Sequence, residues 1–265
     1  MNVFKREMKA HRKSLIIWGI SMIFMIVAGM GKYGGSITSG QSMNELMSKM
    51  PKSMQAIIGS GSFDLSKASG YYGILFLYLV LMATIHSSML GADIISKEER
   101  DRTFEFLMVK PISRKKIITS KLLAALVNIV IFNIITFVFS IMMVSYYGKG
   151  ESVTGDIAVL MVGMFILQIL FLFIGTSIAA ITKSPKTSTS LATAILLVTF
   201  MLSLIIDLNE KLLYLKYLTP FKYYEAKNLM YGGGFNPIFL ILSFVIIAVL
   251  FFSTYVFYEK RDLKV

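Results

Sequence analysis

The chain has 265 residues, of which 55% are hydrophobic and 16% charged, and its mean hydropathy is +0.69. A soluble core of this size could not bury so much apolar surface, and an intrinsically disordered chain needs the opposite composition. The sequence has no cysteine, which excludes disulfides, thiolate metal sites and cysteine nucleophiles, and its two histidines argue against a histidine metal cluster. The formal charge of +12 fits loops that face an anionic membrane surface better than it fits a nucleic-acid partner.

Six apolar stretches contain no Asp, Glu, Lys or Arg, and we interpret each as one crossing of the membrane. Crossing a hydrocarbon layer takes about 20 helical residues, and the stretches lack the alternation typical of a transmembrane barrel. The sequence therefore predicts an all-α integral membrane protein with one transmembrane domain over residues 1–265. The predicted spans are 15–30, 71–91, 122–144, 157–181, 188–206 and 238–257.

Residues 1–14 precede the first span and are predicted to form a separate amphipathic helix in the membrane interface. Val3, Phe4 and Met8 fall on one helical side, and five basic residues surround the rest. A basic tail that only sets the topology is the alternative. A cleaved signal peptide is not favoured, because no clear small-x-small cleavage site follows the span.

Lysine and arginine are distributed unevenly between the two sides of the predicted bundle. The loops 1–14, 96–121, 182–187 and the C-terminal tail carry 18 of them, whereas the remaining loops carry 9 over a greater length. Because basic residues accumulate on the cytoplasmic side, both termini are predicted to be cytoplasmic. The lack of cysteines and of N-x-[ST] acceptors agrees with a multi-pass protein of a bacterial cytoplasmic membrane.

The motifs for nucleotide binding and for ion coupling are missing or misplaced. Residues 29–34 match G-x-G-x-x-G, but they end a span rather than join a strand to a helix, so a flexible helix terminus is predicted. There is no G-x-x-x-x-G-K-[ST] loop, and no span contains a carboxylate for ion coupling. We therefore expect no cofactor on this chain and no catalysis by it. If the chain transports, another polypeptide must supply the energy.

Four polar residues inside the spans are candidate pathway residues. His86 has no carboxylate in a span to orient it, so satisfied packing is favoured over a catalytic base. Asn128, Asn133 and Gln168 are suited to hydrogen bonds between helices. An intramembrane enzyme that uses His86 with polar groups of the third and fourth spans is an alternative function.

The segment 96–121 is too long for a tight turn between two helices. Residues 97–110 are predicted to form a projecting helix that ends before Pro111, and Ser113 is predicted to cap the next helix. A short helix with charges around apolar anchors suits a groove on a cytosolic partner. It suits equally well a position beneath its own membrane bundle.

The motifs of this segment, in their order, resemble those of ABC transporter permeases of the type-2 exporter family. Glu98 and Glu99 are followed by Thr-Phe-Glu-Phe-Leu at 103–107, by Pro-Ile-Ser-Arg at 111–114 and by a lysine that opens the third span. Arg102 stands where the family usually has glycine. The resemblance extends over essentially the whole chain and specifies a family rather than a substrate.

Two further segments resemble the same family. Residues 12–18 are similar to the family's entry into the first span, and residues 218–224 are similar to its Leu-Ser-Pro-Phe-x-Tyr segment before the last span. The resemblance implies that 209–234 dips back into the outer leaflet as short helices; a plain aromatic-anchored outer loop is the alternative. The residues of this outer segment that we single out are Pro220, Phe221, Tyr223 and Tyr224.

The resemblance also implies the partners. A second copy or a homologous permease would pair with the chain, and two cytosolic ATPase subunits that bind ATP and Mg would drive it. Lys115 and Lys116 are expected to face lipid phosphates. The residues expected at or near the ATPase contact are Glu98, Glu99, Arg102, Glu105 and Phe106.

The expected activity is export of a hydrophobic or amphipathic molecule from the cytoplasm. Candidate substrates are antimicrobial or membrane-active peptides and lipids, with a role in antibiotic resistance as one consequence. The 18 methionines would suit an adaptable apolar path, although lipid-facing packing explains them equally well. A membrane anchor or sensor that recruits a cytosolic protein without transport is the third hypothesis.

Overall fold

The computed structural model describes residues 3–38, 43–58, 63–101, 113–149, 153–182 and 184–260, and over these residues the fold contains helices and no strand. This confirms the predicted all-α class. Two 3₁₀ helices, Glu210–Leu218 and Pro220–Lys222, follow the seventh α-helix. The α-helices are α1 (Val3–Thr38), α2 (Met43–Ser48), α3 (Lys52–Ile58), α4 (Ala68–Arg100), α5 (Arg114–Gly148), α6 (Thr154–Ile181), α7 (Pro185–Leu208), α8 (Ala226–Tyr231) and α9 (Pro237–Lys260).

Six of these helices are long and apolar enough to cross a membrane: α1, α4, α5, α6, α7 and α9. The shortest of the six have 24 residues and are about 36 Å long at a rise of 1.5 Å per residue. Each contains one predicted span. They alternate in direction, so the start of α1, the end of α4 and the start of α5 lie at one end of the bundle, here called the N-terminal end. We call the other end of the bundle, where α1 ends and α4 begins, the opposite end.

The structure corrects the prediction of a separate interfacial helix at residues 1–14. Residues 3–14 are the first part of α1, which is continuous to Thr38. One stripe of buried positions runs along this helix from Val3 through Glu7 and His11 to Leu15 and beyond. Because this stripe repeats every three or four residues without a break, packing against α4 and α5 continues the helix past the span.

Helices α4 and α6 form the centre of the bundle. About two thirds of the most apolar stretch of α4 is buried (67%), against 17% for α9 at the periphery. Helix α1 packs on α5 and α4, α7 packs on α4, and α9 packs on α6. The lipid-facing surfaces therefore belong mainly to α1, α7 and α9.

Two glycines let the central helices touch backbone to backbone. A Cβ added to Gly175 of α6 would lie 2.3 Å from the carbonyl oxygen of Ser88, and one added to Gly91 of α4 would lie 2.3 Å from that of Leu172. No side chain fits at either position. Small residues allow the same kind of close helix contact in membranes generally.

Hydroxyl pairs connect the central helices to their neighbours. Tyr72 of α4 donates a hydrogen bond of 2.7 Å to Ser140 of α5. Thr176 of α6 and Thr254 of α9 are 3.1 Å apart through their hydroxyl oxygens. Both pairs are buried, so each polar group finds its partner inside the bundle.

The structure describes the two ends of the segment 96–121. Residues 97–100 are the last residues of α4, which ends with Asp101 as its C-cap, and residues 102–110 of the predicted projecting helix lie outside the described residues. Ser113 caps α5, and its hydroxyl accepts a hydrogen bond from the backbone amide of Lys116 at 3.4 Å. The predicted cap is therefore confirmed.

Candidate functional site

Charged side chains from three helices meet at the N-terminal end of the bundle. Arg6 and Glu7 come from α1, Glu98 from the last turn of α4, and Lys121 from the third turn of α5. Glu7 is 1% exposed, Glu98 5% and Lys121 0%. We call these four residues the ion network.

The contacts in the ion network are short and cross between helices. The Lys121 ammonium lies 2.7 Å from the Glu98 carboxylate and donates to the Ile94 carbonyl oxygen at 2.5 Å. The Arg6 guanidinium lies 2.7 Å from Glu98 and 2.8 Å from Glu7. Two cations thus balance two carboxylates where water is largely excluded, which is the arrangement that buried charges require.

A second group of charges adjoins the network along α4. The His11 Nδ1 atom lies 3.9 Å from the Asp93 carboxylate, and its Nε2 atom lies 3.8 Å from that of Glu7. Arg100 forms an ion pair with Asp93 and lies 3.1 Å from Asp101. Charged contacts therefore continue from the start of α1 to the last described residue before 102–112.

Glu98, which is expected at or near the ATPase contact, is 5% exposed. Its side chain is directed inward, because α4 continues past the span and Glu98 falls one turn beyond Ile94 on the same buried face. Glu99, the next residue, is half-buried. Arg102, Glu105 and Phe106 lie outside the described residues.

Sequence analysis missed the part that α1 plays in this site. Arg6, Glu7 and His11 lie in the segment predicted to be interfacial, yet they contact α4 and α5 residues about 80 to 120 positions away in sequence. The sequence does contain a pattern that predicts these contacts. Glu7 and His11 are four residues apart on the stripe that contains Val3 and Leu15, so a buried carboxylate at this position required a cationic partner.

His86 has the environment of a packed aromatic ring. It is 3% exposed, its centroid lies 4.8 Å from that of Phe132 in a stacked arrangement, and Trp18 lies 5.5 Å away on α1. Among the described residues no carboxylate contacts His86, so no group orients the ring as a general base requires. This geometry does not favour the enzyme hypothesis.

The other polar residues singled out in the spans lie between helices. Asn133 of α5 donates to the side-chain oxygen of Gln168 of α6 at 2.9 Å. Asn128 donates to the Ala124 carbonyl oxygen at 2.7 Å and lies 3.3 Å from the Met8 sulfur of α1. These contacts join α1, α5 and α6 in the interior of the bundle.

Residues 210–231 form short helices that cover the opposite end of the bundle. The Phe221 ring lies 5.2 Å from both Phe171 of α6 and Phe200 of α7, measured between centroids. Tyr223 stacks on Phe239 at 4.8 Å. This segment thus packs on the long helices through the buried rings of Phe221 and Tyr223.

Polar contacts fix the same segment. Pro220 begins the second 3₁₀ helix, and Tyr224 donates to the Ser243 hydroxyl at 2.9 Å. The buried Lys222 side chain forms ion pairs with Asp207 and Glu225. The segment is therefore held to α7 and α9 by both charge and hydrogen bonds.

The turn into α9 contains the glycine run. Gly233 and Gly234 adopt φ values of +86° and +95°, which residues with a Cβ rarely adopt. The other glycine match, at residues 29–34, lies inside the continuous helix α1. It therefore has none of the strand–turn–helix context that dinucleotide binding needs.

Six long apolar helices with buried polar contacts between them define a multi-pass membrane protein. Comparison with known families gives a more specific result: the family described as ABC-2 family transporter protein matches residues 1–263. The chain therefore belongs to the ABC-2 family and is a membrane component of transport. No curated protein matches it.

Proposed function

We propose that this chain is the transmembrane subunit of an ATP-driven ABC exporter and that a separate ATPase docks on the segment 96–121. The observation that supports this most strongly is the ion network, which joins both ends of the 102–112 segment to α1. Glu98 lies four residues before this segment and Lys121 nine residues after it, and their charged groups are 2.7 Å apart. A force applied to the segment would act on α4 and α5 together.

The same network extends the coupling to α1. Arg6 contacts Glu98 at 2.7 Å, so displacement of the end of α4 displaces the start of α1. The close contact of Gly91 with α6 passes the movement to the centre of the bundle. Nucleotide on the ATPase must favour one arrangement of these helices over another, because without such a difference binding and transport are not coupled.

The other components of the proposed complex are those that membership of the family suggests. In this proposal two ATPase subunits bind ATP and Mg, and a second permease copy or a homologue pairs with this chain. The substrate is a hydrophobic or amphipathic molecule, such as a membrane-active peptide or a lipid, that leaves the cytoplasm. Residues 210–231 would close the pathway at the opposite end, since their rings already cover α6 and α7 there.

Co-purification of an ATPase tests the proposal directly. The tagged chain is extracted gently from its native membrane, and bound proteins are identified and quantified by mass spectrometry. We expect a stoichiometric P-loop ATPase with the unmodified chain and at least about tenfold less with Glu105→Lys, since like charges at an interface cost several kcal/mol. The matched control is Glu45→Lys, the same charge change in α2 at the opposite end.

The control should recover as much ATPase as the unmodified chain. Equal loss in both variants, or no ATPase with the unmodified chain even after mild cross-linking, would contradict docking at this segment. An ATPase that binds but whose hydrolysis never responds to candidate peptides or lipids would favour the anchor or sensor hypothesis.

The proposed orientation places the N-terminal end in the cytoplasm. The chain has no cysteine, so single cysteines can be introduced without interference. Asn228 of α8 and Lys116 of α5 are both exposed and lie at the two ends of the bundle. In whole cells we expect an impermeant maleimide to label Asn228→Cys and to leave Lys116→Cys unlabelled until the membrane is permeabilised. The reverse pattern would show the opposite topology.

A further inference from the structure

A groove of about 790 Å³ runs between α1 and α4 in the half of the bundle near the opposite end. Its floor contains small residues of α1, Ser21, Ala28 and Gly29, and its walls are apolar or aromatic. The side chains that line the walls are Ile20, Phe24, Met25, Tyr71, Leu75, Tyr78 and Met82, with Lys32 at the outer rim.

The length of the groove corresponds to one leaflet of a bilayer. Along α1 it extends from Ile20 to Lys32, which is about 18 Å at the helical rise of 1.5 Å per residue. Half of the hydrocarbon layer is roughly 15 Å thick. The groove is therefore long enough for one acyl chain and too short to cross the membrane.

The outer rim of the groove is cationic. Lys32 is exposed, and no described acidic side chain forms an ion pair with it. Lys67, also exposed, lies one turn before Tyr71 on the opposite wall. The Lys67 backbone amide donates to the Asp64 carbonyl oxygen at 3.2 Å, and hydrogen bonds from Ser66 and Asn44 lower the pKa of the Asp64 carboxyl to about 2. Asp64 is therefore charged at neutral pH, but it forms no ion pair with Lys32 among the described residues.

We propose that this groove binds an acyl chain of an anionic phospholipid in the leaflet at the opposite end of the bundle, with the headgroup phosphate at Lys32. The apolar walls suit the hydrocarbon, and a lysine at the membrane surface attracts an anionic headgroup. A second copy of the chain would instead fill the groove with protein side chains. The proposal does not depend on ATPase docking.

The protein contains its own reporter for this site. Trp18 is the sole tryptophan of the sequence and lies two residues before Ile20, at the inner end of the groove. Its ring is 5.5 Å from that of His86, one turn beyond Met82 on the other wall. A bromine atom near the end of an acyl chain in the groove would approach Trp18 and quench its fluorescence.

The test uses the full chain in nanodiscs of phosphatidylcholine that contain a known fraction of chain-end-brominated lipid. Brominated phosphatidylglycerol is compared with brominated phosphatidylcholine at equal mole fraction, and the relative binding constant is taken from the quenching of Trp18. We expect a preference for phosphatidylglycerol of roughly fivefold, the effect of one lysine near a membrane surface. In Lys32→Gln the preference should fall to less than about twofold.

Two further variants distinguish this site from other lipid contacts. Lys13→Gln removes an exposed cation at the N-terminal end of the same helix, and the preference should persist in it. Ala28→Phe fills the floor of the groove and should reduce quenching by both lipids. Equal quenching by the two lipids in the unmodified chain would overturn the proposal. Loss of the preference in Lys13→Gln but not in Lys32→Gln would overturn it as well.

Discussion

Replacing Lys121 with methionine is expected to lower the free energy of unfolding by about 3–5 kcal/mol, because the change removes one of the two cations that balance the buried carboxylates of Glu7 and Glu98. Lys121 is fully buried and contacts Glu98 at 2.7 Å and Glu7 at 3.8 Å. Methionine has nearly the same volume as lysine, so loss of packing contributes little. The expected loss of stability therefore comes from removing the positive charge of Lys121.

Thermal unfolding in detergent measures this effect. A loss of this size corresponds to a decrease in Tm of about 10 °C for a chain of this length. The double variant Lys121→Met with Glu98→Gln removes both charges while the amide can still accept from Arg6. It should recover at least half of the loss, since neutralising both partners costs less than leaving one unpaired.

The matched control is Lys116→Met, the same substitution five residues earlier on α5, where the side chain is exposed. Its Tm should stay within about 2 °C of the unmodified chain, as is usual for surface positions. A Tm for Lys121→Met as high as that of the control would show that Lys121 is not needed to hold the three helices together. A double variant less stable than Lys121→Met alone would show that the loss in the single variant does not come from an unpaired Glu98 charge.

The six spans could be predicted because each depends only on a local run of apolar residues, and a membrane requires about 20 of them. The ion network depends on contacts between distant positions: Arg6 and Glu98 are 92 residues apart, and Lys121 and Glu98 are 23 apart. Composition and charge counts do not show which distant residues contact each other. The basic residues of the first segment were therefore assigned to the membrane surface as a group, although Arg6 contacts the interior.

The central helix contact was predictable in kind but not in detail. Ser87 and Gly91 on α4, and Gly175 and Ala179 on α6, are pairs of small residues four positions apart, the spacing that favours close helix packing in membranes. Several other helices also contain small residues. Only the structure shows that Gly91 faces Leu172 and that Gly175 faces Ser88.

Glu98 of the ion network and Gly91 of the glycine contact lie on the same helix, about two turns apart, and together they make α4 the connecting element. Ile94, whose carbonyl oxygen accepts from Lys121, is three residues from Gly91. In the proposed mechanism, a movement imposed at Glu98 would reach α6 through a contact that contains no flexible side chain. This rigidity is what coupling between a cytosolic partner and the membrane interior requires.

Adding a single methyl group at Gly175 is expected to separate α4 from α6. In Gly175→Ala the new Cβ would lie 2.3 Å from the Ser88 carbonyl oxygen and 2.9 Å from the Ala92 nitrogen. Both neighbours are backbone atoms of a helix, so neither can move aside alone. We expect a loss of unfolding free energy of about 3 kcal/mol, at the upper limit for overpacked sites, and a decrease in Tm of roughly 6–12 °C.

Gly155→Ala is the matched control, because Gly155 lies on the same helix and a Cβ there would meet nothing within 4 Å. Its Tm should be unchanged or slightly raised, since alanine favours helix more than glycine does. If the two variants unfold at the same temperature, the helices must be able to part without loss, and α4 could not transmit movement to α6. If Gly175→Ala is unstable yet still binds the ATPase, docking at 96–121 and transmission through Gly91 and Gly175 are separate properties, as the proposed mechanism requires.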